Sequence, residues 1–314
     1  MHYYFAPMEG LTDSTQRKIH HRYFPGVDRY YMPFLSPTMH RTLTHREERE
    51  LPLADSVSFT AIPQILTKIP EDFLWAAQVC ADRGYREVNL NIGCPSGTVV
   101  SKGKGAGMLA DPAALDRFFD SIFTSSPVPI SVKTRLGISD PGEFPTLVEI
   151  FNRYPICELT LHPRVRKAFY NGDVHMDSFR YLVQNSKNPV CYNGNLCSVE
   201  DIDAFRQEFP QVEAVMIGRG LIGDPAMLTP GRADAAVLEQ YHDTLLEEYL
   251  TAFGGGRNAM FRMKEHWHHL RFRFEGSEKH WKRLRKTTDL QEFRSITAEI
   301  FQTLPLLPKL QPDW

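Results

Sequence analysis

The sequence predicts an α/β fold: a (β/α)8 TIM barrel followed by a smaller C-terminal helical domain. Three observations carry that prediction. Eight short apolar segments recur, each followed by room for a helix. Their C-terminal ends collect Gly, Asn, Lys, Arg and His, and beyond residue 231 the pattern changes to long stretches of helical period. The predicted strands lie near Tyr3 to Ala6, Tyr30 to Phe34, Ala61 to Leu66, Glu87 to Ile92, Ile130 to Arg135, Glu158 to His162, Pro189 to Tyr192 and Ala214 to Ile217. Eight such units match a closed barrel better than an open sheet of about five or six strands. The expected domains are residues 1–231 and 232–314.

Composition sets the outer bounds. At 314 residues, 42% hydrophobic and 24% charged, the chain can bury one large core, or one large and one small. It has no run of about eighteen apolar residues. Its start, MHYYFAPMEG, lacks a basic region followed by an apolar stretch, so a cytoplasmic protein without a membrane anchor is expected. Five cysteines, an odd count with no CxxC, argue against a disulfide framework and a zinc site; no metal is expected.

The most informative stretch is VNLNIGCPSGTVVSKGKGAG, residues 88–107. Its first residues alternate apolar and amide side chains and then meet Gly93 and Pro95, which reads as a buried strand ending abruptly in a loop. Asn89 and Asn91 flank Leu90 and therefore share a face. Cys94 sits at the strand's mouth, where the loops of a barrel enzyme converge. A lone cysteine is more often a small buried hydrophobe, but the paired amides favour a site here. The Gly103 to Gly107 stretch lacks the order of a nucleotide-triphosphate loop and reads as a mobile loop over the mouth, offering Lys102 and Lys104 to a polyanion.

The other strand ends are equally polar. The first is followed by Pro7, Met8 and Glu9; the third carries Gln64; the fifth carries Lys133 and Arg135, two apart and so on one face with Ser131. Two inward cations need an anion or a carbonyl-rich ligand, or else acidic partners at the mouth. The sixth strand ends at His162. Glycine turns at Asn193-Gly194 and at Gly218-Arg219-Gly220 would cradle a phosphate, although either alone would be explained by a tight turn.

These residues resemble the tRNA-dihydrouridine synthase family, flavin-dependent barrel enzymes. The resemblance rests on APMEGLTD, NLNIGCPSG, GAGMLADP, SVKTRLG, LHPR, YNGN and VMIGRG in that order, covering roughly residues 1–230. It implies tightly bound FMN, touched by Pro7, Met8, Gln64, Asn91, Lys133, His162, Asn193, Gly194, Gly218 and Arg219, with NADPH as reductant and Cys94 as catalytic acid. Asn89, Lys102, Lys104, Arg135 and Arg164 are expected toward the RNA. One departure is visible: the family's His-Gly-Arg-Thr is here His162-Pro163-Arg164-Val165, and a customary Gln is replaced around Ala168. The implied reaction adds a hydride from flavin N5 to uracil C6 and a proton from Cys94 to C5, with Lys133 stabilising negative charge on the reduced flavin.

The C-terminal region adds a partner. Val237, Leu238, Tyr241, Leu245, Tyr249 and Phe253 share one helical face, and Met260, Met263, Trp267, Leu270 and Phe274 follow at spacings of three and four, with Gly254-Gly255-Gly256 between. Residues 257–286 hold ten Lys or Arg against three Glu, in a chain whose net charge is −2. A basic segment on an acidic body suits an RNA backbone, with Trp267, Trp281, His268 and His269 expected to stack or snorkel at that surface. A solvated amphipathic face is the commoner fate of such runs. Two other functions compete: an FMN barrel oxidoreductase acting on a small molecule, and a non-catalytic RNA-binding scaffold. The first would not need the basic tail. The second would have no reason to hold Cys94, Lys133 and His162 together. The expected protein is thus a monomeric tRNA-modifying enzyme. Replacing two or more of Lys282, Arg283 and Arg285 by Glu should weaken tRNA binding in a filter assay without changing the flavin spectrum; unchanged affinity would remove the segment from RNA recognition.

Overall fold

The computed structural model describes residues 1–229 and 234–313, so the boundary expected at residue 231 lies outside the described residues. Among the described residues, strand pairing links β1 (His2–Phe5), β2 (Arg29–Tyr31), β3 (Ala61–Ile62), β4 (Gln64–Ile65), β5 (Val88–Ile92), β6 (Ile130–Arg135), β7 (Leu159–His162), β8 (Val190–Tyr192) and β9 (Ala214–Ile217). All pair in parallel, in the order β3-β2-β1-β9-β8-β7-β6-β5-β4.

β3 and β4 flank Pro63, which has no N–H to give to a ladder. Its carbonyl still accepts from the Asn89 N–H at 2.8 Å, so the two halves act as one strand and the ring closes through it. The barrel therefore has the eight strands that the sequence predicts. Strands β6 and β9 match the expectation residue for residue, whereas β2 stops at Tyr31 rather than Phe34, with Pro33 interrupting the run.

The interior below the mouth is filled. Tyr4, Tyr31, Cys191 and Met216 pack inside it, and the two tyrosine hydroxyls donate to the Glu158 carboxylate at 2.9 and 3.1 Å. Burial raises the Glu158 pKa. A plugged floor leaves the C-terminal ends of the strands as the place for a ligand.

Among the described residues, four α-helices follow the barrel: Ala235–Phe253, Gly256–Leu270, Glu278–Lys286 and Leu290–Thr303. Leu238, Tyr241, Leu245 and Tyr249 of the first and Met260, Met263, Trp267 and Leu270 of the second are buried, on the faces that helical period predicts. Gly254 ends the first helix in the left-handed conformation. The expectation that Trp267 stacks at an RNA surface is corrected here. It is 0% exposed and its Nε1–H donates to His242 Nε2 at 3.0 Å, so a ring this large serves the helical core. His269 is buried as well, and Trp281 is half-buried against His268 and the Arg271 guanidinium.

The helical core extends into the barrel. Ile19, Phe24 and Ala226 belong to the same apolar cluster as Tyr241 and Trp267. His20 is locked at this joint, with Tyr30 Oη donating to its Nδ1 at 2.8 Å and its Nε2 donating to the Pro225 carbonyl at 3.0 Å. That arrangement requires a neutral imidazole. Nearby, the buried Arg273 and Asp224 form an ion pair at 3.3 Å.

Burial pulls His20, His266 and His269 down to about 3, against an ordinary value of 6.5. Between those values the unfolded chain takes up protons that the folded chain refuses, so stability falls as pH drops below about 6.5. The melting temperature should decrease from pH 7.5 to pH 5.5, and His20→Gln should make that decrease shallower while lowering the melting temperature at pH 7.5. An identical slope in the variant would remove His20 from the cause.

Candidate active site

A chain of amides crosses the mouth. Asn91 Oδ1 accepts from the backbone N–H of Gly93 at 3.1 Å and of Cys94 at 2.9 Å. That fixes which end of the amide is oxygen, so Asn91 Nδ2 must donate to Gln64 Oε1, at 2.7 Å. Gln64 Nε2 then donates to Asn89 Oδ1 at 2.7 Å, and Asn89 Nδ2 to Ser131 Oγ at 3.0 Å. Each step dictates the next. The chain ties β4, β5 and β6 together and ends on the loop that carries Cys94.

Cys94 is half-buried beside this loop. The segment expected to stand as a loop over the mouth forms a 3₁₀ turn, Gly105–Ala110, seated against it: the Ala106 N–H donates to the Cys94 carbonyl at 3.0 Å. Gly105 has φ +57°, and a Cβ there would lie 2.9 Å from that carbonyl oxygen, so the close approach requires glycine. Lys102 is exposed, while Lys104 is half-buried with its ammonium 3.4 Å from Ser36 Oγ.

Lys133 stands opposite Asn91 in the β5–β6 register. Its ammonium makes no hydrogen bond or ion pair with a described side chain, and burial, with the Arg135 guanidinium beside it, pulls it down to about 7. An ammonium held there is short of a negative partner. His162 lies across from Arg135 on β7. Arg164 Nη1 can only donate, so His162 Nε2 accepts from it at 2.9 Å and the imidazole proton sits on Nδ1. Burial, then Arg135 and Lys133, hold His162 well below 6.5, in the neutral state that this bond requires.

Three residues expected toward the RNA are buried within the chain. Asn89 is fully buried one layer beneath Asn91. Arg135 and Arg164 are each 1% exposed and serve backbone carbonyls, those of the loop after β7 and, for Arg135, also that of Gly93 after β5. Arg135 donates to Gly93, Val165 and Phe169, and Arg164 to Asn171 and Gly172. Backbone carbonyls, joined for Arg164 by the His162 imidazole and the Asn195 amide oxygen, rather than acidic side chains, accept from these two cations.

The same loop carries a residue that sequence reasoning passed over. Tyr170 is 50% exposed, stacks on His162 with centroids 6.0 Å apart, and lies between the Arg135 and Arg219 guanidiniums at 5.2 and 5.5 Å. Asn195, part of the YNGN stretch, is a second: its Oδ1 accepts from Arg164 at 3.3 Å and from Arg219 at 3.2 Å. Asn193 Nδ2 donates to the Met216 carbonyl at 2.7 Å, joining β8 to β9. A Cβ on Gly194 would overlap Tyr192 and one on Gly220 would overlap the Leu196 carbonyl, so these glycines also close tight turns. Gly218 faces the mouth, where a Cβ would meet Met8 Sδ at 3.2 Å; Pro7 and Met8 are half-buried there.

The basic C-terminal segment divides in two. Arg262 pairs with Asp13, Arg271 with Asp313, Arg273 with Asp224 and Arg283 with Glu299. Lys264 is buried and donates to the Arg285 and Thr287 carbonyls. Arg257, Lys279, Lys282, Arg285 and Lys286 are exposed and without an acidic partner among the described residues.

Fold and mouth together define a (β/α)8 barrel whose polar side chains converge at the C-terminal ends of the strands. The chain belongs to the dihydrouridine synthase (Dus) family, whose sequence profile matches residues 4–305; the family comprises flavin oxidoreductases. It is 27% identical over 319 residues to a probable tRNA-dihydrouridine synthase 1 of Synechocystis sp., covering 96% of this chain and 86% of that protein. It is 28% identical over 225 residues to tRNA-dihydrouridine synthase B of Pasteurella multocida, covering 71% of this chain and 66% of that one. Among solved structures, morphinone reductase in complex with tetrahydroNAD aligns with a TM-score of 0.50 at 10% identity, over 72% of this chain and 84% of the other, a likeness of fold alone.

Arg164 is the tether of the loop that presents Tyr170. Replacing it by Met should cost roughly 1.5–3 kcal/mol in lost charged hydrogen bonds and speed tryptic cleavage after Arg166 or Lys167 by about tenfold or more. Equal cleavage rates would leave the tether to Arg135 alone.

Proposed function

We propose that this enzyme reduces specific uridines of tRNA to 5,6-dihydrouridine, with FMN bound at the barrel mouth and NADPH as reductant, in the cytoplasm. The observation that carries this reading is the pairing of an unpartnered, half-buried Lys133 ammonium with a Cys94 whose backbone is fixed by Asn91 on the adjacent strand. Residues 1–231 would form the catalytic part and residues 232–314 the part that holds RNA.

The residues present fit the cofactor. A flavin's ring accumulates negative charge on reduction and offers an edge of donors and acceptors; Lys133 lacks an anion, and the Gln64 and Asn91 amides each keep an N–H beyond the bonds named above. His162, Asn193, Gly194, Gly218 and Arg219, with Pro7 and Met8, ring the same mouth. The Arg219 guanidinium and the bare backbone at Gly218 suit the phosphate. Bound there, FMN supplies the hydride for uracil C6, its electrons coming from NADPH.

The chain's own groups do the rest. Cys94 gives its thiol proton to uracil C5 and regains one from water, so the pyrimidine gains one hydride and one proton. Asn91 holds the cysteine's loop at the height of Lys133. Because a stacked base cannot reach this depth, the target uridine must leave its stack while Lys102 and Lys104 at the mouth, with Lys282, Arg285 and their exposed neighbours, meet the backbone. The five unpaired cations favour an RNA substrate over a small molecule. The tRNA of cells carrying and lacking this gene should differ in dihydrouridine at particular positions by mass spectrometry. Cys94→Ala should slow uridine reduction by roughly 10²–10⁴-fold while leaving the rate at which NADPH bleaches the flavin unchanged. Equal uridine reduction by the variant would dismiss Cys94 as the acid.

A further inference from the structure

Among the described residues of the helical region, Phe261 is the aromatic side chain left exposed. It is 45% exposed on the helix Gly256–Leu270, whose other face forms the core around Trp267. Its ring is bracketed by cations, with the Arg257 guanidinium 5.7 Å and the Lys264 ammonium 5.3 Å from its centroid. Lys264 is anchored to the Arg285 and Thr287 carbonyls, which leaves Arg257 as the exposed charge beside the ring.

Phe261 lines an open cleft of about 300 Å³ with Phe253, Asn258, Arg262 and Glu265. The lining combines one flat apolar surface with an amide, a carboxylate and a guanidinium at its rim. Those are the groups that recognise a nucleobase: a ring to stack on, and donors and acceptors for its edge. The cleft also adjoins the barrel mouth. Arg262 reaches from it to Asp13 at 3.6 Å, and a Cβ on Gly10, two residues past Met8, would lie 2.8 Å from Arg262 Nη1.

We propose that this cleft binds an unpaired nucleotide of the RNA, its base stacked on Phe261 and its phosphate met by Arg257, beside the mouth that receives the target uridine. The inference rests on the tRNA reading above. An RNA loop is favoured over a protein partner because the surrounding segment is strongly cationic and Asn258 and Glu265 suit the edge of a base rather than an apolar side chain.

The test uses an unmodified tRNA transcript and the flavin-loaded full chain, with affinity measured by filter binding at fixed salt. Phe261→Leu keeps apolar bulk and removes the stacking ring; it should weaken binding by about tenfold, whereas Phe261→Trp should bind at least as tightly as the original. Flavin absorbance and melting temperature confirm that each variant folds. If wild type binds tRNA and forms dihydrouridine while Phe261→Leu binds equally well, the nucleotide site is overturned and the synthase reading stands. If wild type itself neither binds nor modifies tRNA, both fall. Unchanged RNA affinity with a shifted monomer–dimer equilibrium in light scattering would assign the face to a second copy of the chain and overturn the proposal.

Discussion

The hydrogen-bonded amides of Asn91, Gln64 and Asn89 are the constraint on which the mouth depends. They run across three neighbouring strands, and the direction of every bond is set by two backbone N–H groups at Gly93 and Cys94. Reversing one amide would place two oxygens or two NH2 groups face to face at its own contacts, in a buried setting where an unmatched pair is costly. A barrel strand interrupted by Pro63 has lost part of its ladder at this level. The side-chain chain restores a connection between β4 and its neighbours and holds the cysteine's loop at the same time.

The charges at the mouth follow a similar division of labour. Arg135 and Arg164 point inward like Lys133, yet their planar forks are occupied by carbonyls of the loop after β7, which converts bare backbone acceptors into a folded loop. Lys133 has no such partner. Of these three cations, two are bound to backbone and side-chain acceptors of the chain and Lys133 makes no hydrogen bond or ion pair with a described side chain. Tyr170, between Arg135 and Arg219 and stacked on His162, covers the boundary between these roles.

Much of this was legible in the sequence. Alternation and the Gly and Pro stops located the strands, and helical period placed Met260, Met263 and Trp267 on one face. Period also explains why Trp267 is core: the same residue was a candidate for stacking on RNA, and the apolar face took it. What period cannot supply is depth along the barrel axis. Asn89 and Asn91 share a face, but Asn89 is fully buried beneath Asn91, its amide spent on Gln64 and Ser131. The duties of Arg135 and Arg164 were hidden for a different reason. Their acceptors lie in an irregular loop whose path no repeat encodes. Tyr170 and Phe261 were invisible as surface aromatics because only the packed structure decides which rings remain uncovered.

The joint between barrel and helices has a geometric consequence. His20 and the Arg273–Asp224 pair are buried beside an apolar cluster to which both the barrel and the C-terminal helices contribute side chains. The cations of Glu278–Lys286 that face solvent thus stand on a body whose apolar core is continuous with the first helix of the barrel, so a substitution in that shared cluster disturbs both surfaces at once.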